Sequence, residues 1–207
     1  MGLKLITPPA AEPVALADIK AHLRITGTDE DALLTAMIEA ARDYCEKYQN
    51  RAYITQTWEL ALDRFPPENY IRIFNLPLQA VSENYIRIPL PPLQSDLSVK
   101  YYGTDDTEYT FPVTDYQVDI HSQPGRVVLG YGKSWPSITL RPANGVIITF
   151  TAGYGDTADD VPEGVKQAIK VLVGNMYENR EATDVKELKE VPFAVHALLG
   201  LERIWPV

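Results

Sequence analysis

Leu16, Ile19 and Leu23 fall three and four residues apart within Val14–Leu23, the spacing of one face of a short helix. Gly27 and Thr28 break that pattern. Thr28 or Asp29 can cap a second helix, and Asp29, Glu30 and Asp31 suit the positive end of its dipole. Beyond them Leu33, Met37, Ala40 (or Ala41), Tyr44 and Tyr48 recur at helical spacing, with Leu34, Ile38 and Cys45 widening the stripe. The predicted helix runs to about Asn50, and its stripe faces a core. The residues before these helices, 3–14, are proline-rich and read as extended.

From Tyr53 the period shortens to two. Thr55–Leu62 alternates like a strand, and further strands are predicted at Ile71–Phe74, Ile86–Ile88, Leu97–Tyr102, Tyr116–Ile120, Arg126–Leu129 and Val146–Thr151. Ser122-Gln123-Pro124-Gly125 is a turn that makes a hairpin of its flanking strands. Helical spacing returns at Val161, with Pro162 placed in a first turn and Val165, Ala168, Ile169, Leu172, Val173, Met176 and Tyr177 forming an apolar face. Residues 180–190 are charged and read as a loop. Pro192 opens a last helix to about Ile204, with Val195, Leu198 and Leu199 inward. The predicted class is α+β. A helical bundle of about four helices is drawn from both chain ends (1–52 and 158–207), with an antiparallel β region inserted at 53–157.

A short repeat lies inside the β region. Glu68-Asn69-Tyr70-Ile71-Arg72-Ile73 recurs as Glu83-Asn84-Tyr85-Ile86-Arg87-Ile88, and Pro77-Leu78-Gln79 as Pro92-Leu93-Gln94. Two copies are too few for a solenoid. One copy is expected to pair in a sheet and the other to ornament its edge, so a chain lacking residues 68–82 should still fold.

Charge and cysteine content narrow the chemistry. The net charge of the 207-residue chain is −9 and no basic cluster interrupts it, which disfavours tight binding of nucleic acid. An acidic surface that DNA passes without sticking is compatible with it. Cys45 is the single cysteine, so intrachain disulfides and multi-cysteine metal sites are excluded, and its place on the apolar stripe makes it a buried, inert thiol. No stretch is apolar enough to span a bilayer, and prolines interrupt the N-terminus too early for a signal peptide.

Two glycine motifs imitate phosphate sites. Gly130-Tyr131-Gly132-Lys133-Ser134 resembles the end of a P-loop, but the position of its first glycine is Val127, and Trp135-Pro136 stands where a helix should begin. Gly153-Tyr154-Gly155-Asp156-Thr157-Ala158 fits a dinucleotide fingerprint, yet Asp156, Asp159 and Asp160 would repel a pyrophosphate. Its glycines are read as turning the chain out of the sheet. His22, His121 and His196 form no metal-binding spacing, and no carboxylate spacing singles out a general acid and base. Catalytic, cofactor-binding and metal-binding residues are therefore expected to be absent. The tyrosines suit protein contacts, since the ring offers area at little entropic cost, and they suit equally the filling of the β core and its edges.

Three blocks resemble the head–tail connector (neck adaptor) proteins of long-tailed double-stranded DNA phages, prophages and gene transfer agents. The first is Leu5-Ile6-Thr7-Pro8-Pro9, Glu12-Pro13-Val14, the helix from Ala17, the acidic Asp29-Glu30-Asp31 and the helix ending near Tyr48, followed by Gln56-Thr57-Trp58. The second is Phe150-Thr151-Ala152-Gly153-Tyr154-Gly155-Asp156, with Val161-Pro162, Gln167-Ala168-Ile169 and Tyr177-Glu178-Asn179-Arg180-Glu181. The third is Val191-Pro192-Phe193-Ala194-Val195 with Ala197-Leu198-Leu199. The doubled segment at 68–98 departs from the pattern, where one copy is expected.

The resemblance implies a structural virion protein, made in the host cytoplasm, that forms a ring of twelve copies below the portal protein. The ring would extend the DNA channel without binding DNA specifically and would support stopper or tail proteins. Candidate protein–protein contacts are Tyr44, Tyr48, Tyr177, Arg180 and Trp205. Alternatives are a tail-completion or stopper protein of the same neck, and a carbohydrate-binding or hydrolase module of the tail.

Overall fold

A computed structural model describes residues 2–66, 84–179 and 193–205. The chain divides into two units: Met1–Pro8 with Gln56–Ala152, and Pro9–Thr55 with Gly153–Val207. It therefore passes between them three times. The class is mixed α+β.

The first unit is built on antiparallel strands. Its larger sheet has the order β1 (Gly2–Thr7), β2 (Gln56–Leu62), β8 (Val146–Ala152), β4 (Leu93–Tyr102), β5 (Glu108–Thr110). The central strand β8 alternates strictly, with Val146, Ile148, Phe150 and Ala152 buried between less buried neighbours, as a sheet with one covered face requires. The register carries this apolar face sideways. Phe150 and Ile148 lie beside Trp58 and Leu60 of β2 and beside Leu97 and Val99 of β4. Leu5 and Leu3 of β1 continue the row past Trp58 and Leu60. The other face carries Lys4, Glu59, Thr149, Ser98 and Lys100, with Ala61 and Ile147 among them, and is mainly polar.

A second sheet, β3 (Tyr85–Ile88), β7 (Gly125–Leu129) and β6 (Tyr116–Asp119), belongs to the same unit. Ile86, Ile88, Tyr116 and Val127 are buried in it. The Tyr116 hydroxyl donates to Leu97 O at 3.2 Å, which joins the sheets. Gly125 leaves no room for a side chain, because a Cβ there would meet Leu93 within 2.8 Å. An aromatic cluster fills the space nearby. Phe65 stacks on Trp135 at 5.1 Å and Phe111 on Tyr116 at 5.6 Å, and Trp135 Nε1 donates to Asn84 Oδ1.

The hairpin at Ser122–Gly125 forms as expected, although Gly125 opens β7 instead of occupying the turn. Asp119 holds it: Oδ1 accepts from the backbone N–H groups of His121 and Ser122, and Oδ2 from the Ser122 hydroxyl and Arg126 Nε. The Ser122 hydroxyl first, and then Arg126, hold this carboxyl well below the usual carboxylate range. A lowered folded value contributes stability that is present above the ordinary aspartate range and is lost as pH falls toward the folded value. Unfolding midpoints should thus fall more steeply on acidification below about pH 4 in the wild type than in Asp119→Asn. Parallel acid titrations by circular dichroism would check it, and identical slopes would refute it.

The second unit holds α1 (Leu16–Leu23), α2 (Asp31–Gln49), α3 (Glu163–Glu178) and α4 (Phe193–Gly200) around one core. Ile19, Leu34, Ile38, Ala41, Cys45, Tyr53, Ala168, Ile169, Leu172, Val173, Val195 and Leu199 are its centre. Each large aliphatic side chain among them gives about 1.5–3 kcal/mol on burial. The α2 stripe is rotated from the one read in the sequence. Leu34, Ile38, Ala41 and Cys45 point inward, Met37, Tyr44 and Tyr48 sit at its margin, and Leu33 is exposed. Neither Thr28 nor Asp29 caps α2, whose N-cap is Glu30 without a side-chain bond.

Pro162 is the N-cap residue of α3, after a 3₁₀ turn at Ala158–Asp160. The last helix stops at Gly200 rather than near Ile204, and Leu198 is partly exposed. Strands β1 and β5 were not distinguished by period. The second repeat copy supplies β3. The first copy, the predicted strand Ile71–Phe74, the charged stretch 180–190 and Pro192 lie outside the described residues.

Candidate assembly surface

Polar groups at the end of α2 organise one region of the helical unit. Arg42 bridges two carboxylates, with Nε on Glu12 Oε2 at 2.9 Å and Nη1 on Glu46 Oε2 at 2.8 Å. Glu46 Oε1 accepts from the backbone N–H of Tyr53 at 2.8 Å. Burial pushes the Glu12 carboxyl up, and Arg42 opposes that push. Gln49, Asn50 and Arg51 each take a carbonyl from residues 199–204. Gln49 Nε2 donates to Leu199 O, Asn50 Nδ2 to Ile204 O, and Arg51 Nε to Glu202 O. Asn50 ends α2 in the left-handed region at φ 55°, where asparagine is among the residues that fit. The backbone N–H of Ile204 returns a bond to Gln49 O at 2.9 Å.

This staple holds up a stack of rings. Tyr44 stacks on Tyr48 at 6.3 Å, Tyr48 on His196 at 5.0 Å, and the Tyr44 hydroxyl and His196 Nε2 share a 3.2 Å hydrogen bond. The Arg203 guanidinium lies 4.5 Å from the Tyr48 ring centre and 4.4 Å from that of Trp205. Such cation–π contacts give about 0.5–2 kcal/mol each, most when shielded from water. Arg203 Nε is buried and has no acceptor among the described residues. Trp205 remains 69% exposed, and Leu201 and Phe193 are also exposed. The C-terminal segment thus packs back through its backbone while presenting its tryptophan.

Of the five candidate contact residues, Tyr44, Tyr48 and Trp205 belong to this one array. Tyr177 does not; its hydroxyl donates to Glu30 Oε2 at 2.6 Å. Arg180 lies outside the described residues. Arg203 and His196 escaped the sequence reading. The available signal was a lone arginine within an apolar tail, at cation–π reach of Trp205.

The motifs that imitate catalytic sites are otherwise engaged. Lys133 pairs with Asp115 at 2.8 Å, and no helix follows it. Gly153-Tyr154-Gly155 runs beside residues 53–55, with Tyr154 N–H on Tyr53 O and Thr55 N–H on Gly155 O, both at 2.9 Å. The Asp160 carboxylate accepts from Thr157 in a capping box. Cys45 is buried, and its thiol is pushed up to about 12 by burial and then by Glu46. A cleft of about 690 Å³ in the β unit is lined by Asp63, Arg64, Phe65, Trp135, Ile138 and Arg141 among others. Asp63 is the one carboxylate among its described lining residues, and the Phe65 and Trp135 rings are buried against each other. That arrangement supplies neither a carboxylate pair nor an open aromatic platform for a sugar. Among the described residues no group of three or more His, Cys, Asp or Glu side chains could hold a metal ion, and no helix is long and apolar enough to cross a membrane.

An antiparallel β unit and a helical unit carrying a stack of rings place the chain in the mixed α+β class. Residues 13–103 match the family of phage gp6-like head–tail connector proteins, as the resemblance read from the sequence implies. No curated protein matches the chain by sequence. Among solved structures, the chain is similar to a protein of the neck of an empty gene transfer agent particle determined with C6 symmetry, at TM-score 0.76 and 23% identity. It is also similar to chains of the virion of the native particle (TM-score 0.75) and of its neck with C12 symmetry (TM-score 0.74), each at 23% identity. Each comparison covers 100% of this chain and 97% of the other. The whole chain therefore shares the fold of these neck proteins.

Proposed function

We propose that this chain is a structural virion protein, a head–tail connector subunit of a phage or gene transfer agent neck, and does not act as an enzyme. Twelve copies form a ring below the portal, extend the DNA channel and support the attachment of stopper or tail proteins. The observation that carries the reading is the family match of residues 13–103 combined with a fold shared end to end with neck proteins. Two further features support it. The net charge of −9 gives packaged DNA no extended basic track to bind, so the duplex slides. Exposed Trp205, Leu201 and Phe193 of the helical unit supply apolar area for contact with other proteins.

The Tyr44–Tyr48–Arg203–Trp205 array is the portal contact in this reading, and Tyr177 lies at a ring contact. An exposed tryptophan held rigid by a cation and a backbone staple loses little entropy on docking, and such residues dominate interface energies. Purified full-length chain mixed with portal rings of the same particle should co-sediment and appear as a twelve-fold collar by electron microscopy. Trp205→Ala should weaken the association by about 2 kcal/mol, roughly thirty-fold, with the unfolding midpoint unchanged. Absence of any association with the portal would overturn the proposal, and unimpaired binding by Trp205→Ala would remove the array from it.

A further inference from the structure

We infer that the open edge of β1 is a strand-addition site, filled by the edge strand β5 of a neighbouring copy, so that the five-stranded sheets join side by side around the ring. This inference rests on the ring reading above and names one of the two faces that a head-to-tail ring requires.

All six residues of β1 are exposed, and Leu3, Leu5 and Ile6 keep 40–42% of their surface open to solvent. Edge strands are ordinarily blunted by charges, prolines or bulges, because their unpaired N–H and C=O groups recruit another strand. Here Lys4 is the sole charge on the strand, and the register irregularity falls only between Leu5 and Thr7. Leu3 and Leu5 continue the apolar row of Leu60, Trp58, Ile148 and Phe150, and among the described residues no strand pairs with β1 beyond them. A strand added at this edge would complete the row.

Strand β5 of a second copy has the required chemistry on both faces. Neighbouring strands are antiparallel throughout the sheet, so the outermost strands β1 and β5 run in the same direction. Rotation about an axis along the strands therefore brings the β5 edge of one copy to the β1 edge of the next as a parallel pair. Tyr109 of β5 lies opposite Tyr101, which lies opposite Val146, so Tyr109 is on the apolar face and would meet Leu3 and Leu5. It is 42% exposed and stacked on Tyr101, held ready for that contact. Glu108 and Thr110 are on the polar face and would meet Lys4, whose ammonium would share the Glu108 carboxylate with Lys100 and Tyr102 of the same copy as Glu108. A two-fold arrangement would instead pair β1 with β1 and close at two copies.

Cysteines at Lys4 and Glu108, or at Lys4 and Thr110 to cover the adjacent register, test this in necks assembled in producing cells. Cys45 is buried and does not compete. Oxidation of assembled necks should convert the chain into a ladder of cross-linked multimers, while the single variants Lys4→Cys, Glu108→Cys and Thr110→Cys stay monomeric on denaturing gels. Dimers formed by Lys4→Cys alone would show the two-fold pairing and overturn the inference. Necks that retain the ring by electron microscopy but give no cross-links in either double variant would overturn it too, leaving the ring reading intact. Necks without a multimer of this chain would overturn both.

Discussion

Alanine in place of Gly153 is expected to lower the stability of the protein by about 3 kcal/mol or more, the sum of backbone strain and overpacking. Gly153 has φ 136°, a conformation that side chains rarely adopt. A Cβ there would stand 2.7 Å from the carbonyl carbon and oxygen of Ile54 and from the nitrogen of Thr55. These are backbone atoms, fixed by the bonds that tie residues 53–55 to residues 154 and 155, so no side chain can swing aside to make room. Gly174 in α3 supplies the opposite case. A Cβ there would make ordinary contacts of 3.7–3.9 Å with His22 and Leu23. Gly174→Ala should stabilise the helix by roughly 0.5–1 kcal/mol. Urea unfolding of both variants checks the pair. Equal and small effects would show that the segment at 153–155 relaxes more easily than its bonding indicates.

The contrast between these glycines marks what could be read in advance. Gly153-Tyr154-Gly155 was recognisable as a turn instead of a phosphate cradle, because the aspartates around it would repel an anion. The requirement for glycine at 153 was not, since it depends on the close approach of a segment a hundred residues earlier in the chain. The same distinction runs through the fold. Period and punctuation sufficed for α1, α2, α3, β2 and β8, whose burial alternates or recurs locally. Strand β1 was not legible as a strand because its alternation covers only Leu3-Lys4-Leu5 before Ile6 and the prolines at 8 and 9 interrupt it. Strand β5 is three residues long, too short for any period. On α2 the stripe was found but its centre was displaced by one residue. Helical spacing assigns the large Tyr44 and Tyr48 to the core-facing stripe, whereas their rings, one hydrogen-bonded to His196 and the other facing Arg203, sit at its margin. The assembly surface was legible in part for the same reason. Aromatic residues announce themselves by type, but the arginine between two of them acquires its role only when the chain folds back after Gly200.

That fold-back depends on one buried amide, and the largest loss short of a backbone clash is expected from removing it. Gln49 is 1% exposed. Its Nε2 donates to Leu199 O at 2.8 Å and its Oε1 accepts from the Tyr53 hydroxyl at 2.6 Å. Leu199 is in the last turn of α4, where carbonyls lack partners within the helix, so Gln49 supplies what the helix cannot. Gln49→Leu keeps the volume but leaves a buried hydroxyl and a buried carbonyl unpaired. At about 1–3 kcal/mol for each abandoned group, the loss should be roughly 3 kcal/mol. Tyr53→Phe alone should cost about 1–2 kcal/mol, because it leaves the single buried acceptor Gln49 Oε1 without its donor. Adding it to Gln49→Leu should then restore part of the loss, because the orphaned hydroxyl is gone. Hydrogen exchange separates this from a general weakening. The Ile204 amide, which is bonded to Gln49 O, should exchange faster in Gln49→Leu by a larger factor than the amides at the centre of α2. If its protection fell only in step with theirs, Gln49 would be a core residue like any other. The presentation of Trp205 would then rest on Asn50 and Arg51 alone.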